Sequence, residues 1–175
     1  DAENYAKLIG SHTGRLYVLD PKTNKIWRYD AASDGYSGTP YEWLQASMDL
    51  AGVVDMAIGD GIYLLYADGR VSKLMQGQPA DFSMADWDLM PRDPTALSSY
   101  PPDETDWVYM ADSGNSRIVQ CAIDGKFTRQ FKLSDTQLAG KGDVMKGITS
   151  LFVDDSVKRA YFLSGNRLYV ISLSE

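Results

Sequence analysis

The sequence predicts an all-β protein of the propeller type, built from four repeated blades of about four antiparallel strands each. Three observations predict it. An apolar segment bearing a tyrosine recurs four times, a turn and a second short strand follow each copy at near-constant offset, and the apolar runs are short, rich in Val, Ile, Tyr and Phe, and broken by Gly or Pro.

The recurring segments are Leu16-Tyr17-Val18-Leu19-Asp20, Ile62-Tyr63-Leu64-Leu65-Tyr66, Val108-Tyr109-Met110-Ala111-Asp112 and Ala160-Tyr161-Phe162-Leu163-Ser164. Their tyrosines are 46, 46 and 52 residues apart. Those intervals are blade lengths. Behind each segment come turn residues (Pro21-Lys22-Thr23-Asn24, Ala67-Asp68-Gly69, Ser113-Gly114-Asn115-Ser116, Ser164-Gly165-Asn166), and then a strand opening at Ile26, Val71, Ile118 or Leu168. Gly and Asn supply the positive φ that tight hairpins require. An apolar stretch precedes each tyrosine, at 5–9, 53–58, 95–97 and 148–153. These read as inner, middle and third strands. Outer strands are expected at 41–44, 87–90 and 127–133, and one helical turn within 134–142.

A small sheet cannot bury both faces alone, so such units must stack on one another around an axis. The expected organisation is a single domain, 1–175, with blades at 4–47, 48–92, 93–139 and 140–175. The last blade lacks an outer strand, and no spare strand is readable before Tyr5 to supply one. An incomplete or partner-completed propeller is therefore preferred over a closed four-bladed ring, because an unpaired blade edge is an aggregation liability.

The 44% hydrophobic and 23% charged content is that of a globular chain. With 24 acidic against 17 basic residues and a formal charge of −7, the surface repels phosphate backbones, and nucleic acid is not an expected partner. The longest apolar runs are strand-length, so no membrane insertion is expected from this segment. The opening Asp-Ala-Glu carries no signal peptide, which suits a mature secreted domain or an excised one.

Residues 108–127, Val-Tyr-Met-Ala-Asp-Ser-Gly-Asn-Ser-Arg-Ile followed by a strand and Asp-Gly-Lys-Phe, resemble an NHL repeat. The first unit resembles it through Tyr17, Asp20, Asn24 and Ile26, with Lys25 in the arginine position. The second keeps Asp68-Gly69, and the fourth keeps Asn166 and Arg167. The resemblance implies a scaffold that presents loops, commonly outside the cytoplasm, which is the expected location. It also brings a rival, because some six-bladed relatives are lactonases or lyases using metal-bound acids and histidines.

Candidate chemistry is sparse. His12, the single histidine, is expected in an exposed turn, Ser11-His12-Thr13-Gly14, where it suits neither a Ser-His-Asp site nor zinc. Cys121, the single cysteine, aligns with Tyr29, Leu74 and Ile171 and is expected to be a packed thiol. Asp20, Asp112, Asn24 and Asn115 are expected to cap their own turns, and Asp103-Glu104 and Asp154-Asp155 to be solvated turns. The four tryptophans are expected mainly in packing between blades. No catalytic residue, metal site or cofactor is assigned. The expected function is non-enzymatic binding of a protein or small ligand. The expected contact residues are Asn24, Lys25, Asp68, Asn115, Arg117, Asn166 and Arg167 on the middle-to-third turns, with Tyr36 and Tyr41 from the long 30–42 segment. The alternative is self-association through open blade edges.

Overall fold

The computed structural model describes residues 8–140 and 142–173. It contains four antiparallel sheets, each a meander. The first blade is β1 (Leu8–His12), β2 (Arg15–Asp20), β3 (Lys25–Asp30) and β4 (Tyr41–Glu42). The second is β5 (Val53–Ile58), β6 (Ile62–Tyr66), β7 (Val71–Met75) and β8 (Gln78–Ala80). The third is β9 (Pro94–Ser98), β10 (Trp107–Asp112), β11 (Arg117–Ala122) and β12 (Phe127–Phe131). The fourth is β13 (Ile148–Asp154), β14 (Arg159–Ser164) and β15 (Arg167–Ser172), three strands as expected. The single α-helix among the described residues, α1 (Asp135–Leu138), is one turn fixed by a capping box between Ser134 and Gln137. The inner strand expected at 5–9 lies partly outside the described residues.

Period-2 alternation gives each middle strand two apolar faces. Tyr17, Tyr63 and Tyr109 point to the following blade, and the residue after each, in blades two to four (Leu64, Met110, Phe162), points to the preceding one. Three buried clusters result. One joins Tyr17, Leu19 and Ile26 to Ile62, Leu64 and Leu74. A second joins Tyr63 and Leu65 to Val108, Met110, Val119 and Cys121. A third joins Tyr109, Ala111 and Ile118 to Val153, Ala160 and Phe162. No cluster among the described residues joins the fourth blade to the first. The inner strands β1, β5, β9 and β13 lie side by side in that order. The blades thus form an arc, and each buried Leu or Ile in it contributes roughly 1.5–3 kcal/mol.

One strand departs from expectation. The second blade's outer strand is β8, not 87–90. Gln76 and Gly77 both adopt positive φ (51° and 81°), so the chain reverses in two residues and Met75 pairs with Gln78. Only glycine fits at 77, where a Cβ would lie 2.1 Å from the Trp43 carbonyl oxygen. Trp87 is instead buried against the third blade, its indole N–H donating to the Gly125 carbonyl at 2.8 Å.

Candidate functional site

A cleft opens between the first two blades, at the end carrying the inner-to-middle turns. The β1–β2 hairpin closes through Thr13 (φ 49°) and Gly14 (φ 72°), a primed two-residue turn that sets His12 opposite Arg15. Thr13 is β-branched in the left-handed region, a conformation such residues rarely adopt. On the face toward the second blade, register places Tyr17, Arg28 and Tyr41 in one row across β2, β3 and β4. The Arg28 guanidinium lies 4.0 Å from the Tyr41 ring centroid and pairs with Asp30 at 3.1 Å; Arg15 shares that carboxylate at 3.4 Å. Trp43 meets Tyr17 edge to face at 5.6 Å. Ile58, Ile62, Leu74 and Met75 form the facing wall, and the space between is about 520 Å³.

The third blade closes one side. Its inner-to-middle loop, residues 99–106, reaches past the second blade, and Asp103 Oδ2 lies 2.9 Å from His12 Nε2. His12 is therefore the last residue of β1 and mostly buried, not in an exposed turn, whereas Asp103 is exposed, as expected, and meets His12 through one carboxylate oxygen. His12 Nδ1 is buried with no hydrogen-bond partner. An unmatched imidazole nitrogen is costly unless a partner arrives. The same loop, which contains a cis Tyr100–Pro101 bond, accepts the Asp155 amide on its Tyr100 carbonyl and so also binds the fourth blade.

Two buried phenols complete this end. Tyr63 donates to Asp60, which also takes Lys73 Nζ at 2.6 Å. Tyr109 donates to Asp155 of the next blade at 2.6 Å and accepts from Gln120 at 2.9 Å. Burial, then the neighbouring carboxylate, pushes both phenols well above the usual tyrosine range, so both stay protonated. Cys121 is 1% exposed and its thiol is pushed up to about 12 by burial, the inert packed thiol expected of it.

The expected contact residues lie mostly at the other end. The Asn24 side-chain carbonyl accepts the Leu50 amide at 2.9 Å, tying its turn to the next blade's entry rather than capping itself. Asp20 does cap its turn, accepting from the Lys22 and Thr23 amides. Lys25 pairs with Glu42 at 2.7 Å, and Asp68 with Arg70 at 2.8 Å, the guanidinium holding that exposed carboxyl below its ordinary range. Asn115 donates to Asp112 at 2.9 Å and to the Met90 carbonyl at 3.1 Å. Arg117 is 2% exposed and spent on Asp112 at 2.6 Å and Gln130 at 3.0 Å. Asn166, Arg167 and Tyr36 are exposed. Of the nine, only Tyr41 lines the cleft. His12 and Asp103 are 91 positions apart, but His12 ends an inner strand at its inner-to-middle turn and Asp103 lies in such a turn, as do Asp60 and Asp155. That recurrence was the available signal.

No family model and no curated protein matches this sequence. Solved structures do. PorZ, a bacterial surface component of the type-IX secretion system of Porphyromonas gingivalis, aligns with 94% of this chain at 18% identity and a TM-score of 0.55. Virginiamycin B lyase from Staphylococcus aureus, solved with quinupristin, aligns with 95% at 12% identity and 0.55. The nidogen/laminin complex aligns with 91% at 15% identity and 0.59. The fold is that of a β-propeller. The chain spans 19%, 55% and 57% of those three chains, so it is propeller-like over nearly all its own length and much shorter than each of them. Among the described residues, no helix of this propeller-fold chain is long and apolar enough to cross a membrane.

Proposed function

We propose that the chain is a non-enzymatic propeller module, facing the cell exterior, that binds a small ligand or a peptide side chain in the cleft between its first two blades. The observation that carries this reading is the buried, unpartnered His12 Nδ1 beside the Arg28–Tyr41 stack. An aromatic wall with a few convergent polar groups is the usual build of a binding pocket. The ligand that suits it has a planar body and an anionic or hydrogen-bonding head, since Arg15 is about half exposed and keeps donors beyond its bond to Asp30. The NHL-like character of the blades belongs to the same proposal, and the Asp112, Asn115 and Arg117 network supports it.

Protein NMR titration with aromatic carboxylates, benzoate first, tests the reading. Shifts should cluster on residues 12–15, 28, 41–45 and 58–61, and Arg15→Ala or Tyr41→Ala should weaken them about 10-fold or more, as losing a charge-assisted or stacking contact does. Perturbations confined to the middle-to-third turns would move the site to the other rim and overturn it.

A further inference from the structure

Among the described residues, the two terminal blades each have one packing face with no neighbouring blade on it, and the faces are of opposite kinds. Inside the arc, every junction sets the tyrosine-bearing face of one blade on the opposite face of the next. In the fourth blade the tyrosine-bearing face has no following blade. Leu168 occupies the position of Ile26 and Ile118, each 0% exposed, yet is 64% exposed; Leu163 occupies that of Leu19, Leu65 and Ala111, also 0%, yet is 43% exposed. The face is also more apolar than its internal counterparts. Val170 stands where Arg28, Lys73 and Gln120 stand, and Phe152 where Ala57 and Ser98 stand. Phe152 joins Tyr100 and Tyr161 in an aromatic row, with centroids 5.1 and 6.0 Å apart.

The first blade leaves the complementary face. Leu16, Val18, Trp27 and Tyr29 there occupy the positions of Val108, Met110, Val119 and Cys121, which the second blade covers in the third; Val18 is buried and the other three are partly exposed. A hollow of about 550 Å³ opens on it, lined by Trp27, Tyr29, Thr39 and Pro40.

We infer that a second copy of this chain docks head to tail, its first blade on the fourth blade of its partner. The internal junctions favour this occupant, because the same chain presents both halves of the junction. Under twofold symmetry, two such contacts cover all four open faces and close the assembly. A patch of this apolar content left bare would be an aggregation liability.

Light scattering behind size exclusion, from low micromolar to near millimolar chain, tests it. The 175-residue protein should give twice the chain mass at high concentration. Leu168→Asp with Val170→Asp, both at exposed positions, should raise the dissociation constant about 10-fold or more with unchanged circular dichroism. Thr39→Glu on the first-blade face should do the same, and mixing the two variants should restore a two-chain species through the one intact junction. A single-chain mass throughout overturns the inference. So does a dimer insensitive to Thr39→Glu, which would mean fourth blade against fourth blade, or one insensitive to the Leu168 and Val170 changes.

Discussion

The third and fourth blades pair their inner, middle and third strands in the same order, yet the same positions have opposite fates in them. Arg117 and Arg167 both open a third strand, paired with Asp112 and Ser164 respectively. The first is 2% exposed and the second stands in solvent. Tyr109 is sealed under Asp155 of the next blade, whereas Tyr161 lies tilted against its own sheet's Phe152. The strand's own residues do not decide burial here; the neighbouring blade does. A repeat protein gains its stability at junctions, and a blade without a following neighbour keeps its pattern while losing the burial.

Substitutions at equivalent positions break or sharpen that contrast. The largest difference is expected at the arginines. Arg117→Ala strands a fully buried Asp112 carboxylate and should lower unfolding stability by about 3–5 kcal/mol, while Arg167→Ala should change it by less than about 0.5 kcal/mol, both read from urea melts. The smallest is expected at a buried acid. Asp55, in β5, accepts the Leu97 amide at 2.7 Å, but burial outweighs that bond and raises its carboxyl. A carboxyl raised in the folded state binds more protons folded than unfolded, so its contribution is present below the unfolded value and is lost as pH climbs through the folded one. Asp55→Asn keeps an acceptor for Leu97. It should stabilise modestly at neutral pH and have no such effect below the ordinary carboxylate range, as paired melts at both pH values would show. The position equivalent to Asp55 in the fourth blade holds exposed Ser150, where Ser150→Asp should be neutral at either pH.

Much of the fold was legible because it is repetitive. The four tyrosines marked the middle strands, Gly and Asn marked the turns, and Cys121 was placed by its alignment with Leu74 and Ile171. The outer strand of the second blade was not legible, since the spacing of the other blades pointed to 87–90, while the local signal, Gln76-Gly77, is a two-residue reversal of a kind met in no other third-to-outer link of the chain. The cleft was missed for a different reason. Its defining contact joins the turn of one blade to a loop two blades away, and periodicity within a blade carries no information about which loop is long enough to cross. Arg117, expected to meet a ligand, is instead a structural residue: the same motif that identified it consumes its donors.

The most direct test of the account is the difference in unfolding free energy between Ile118→Ala and Leu168→Ala, measured at dilutions where the chain is a monomer. Both truncate an aliphatic side chain at the same strand position, one under a neighbouring blade and one without it. The account predicts a loss of about 2–4 kcal/mol for the first and under about 0.5 kcal/mol for the second. Equal losses would show that the fourth blade's face is already covered within a single chain and would contradict the open arc.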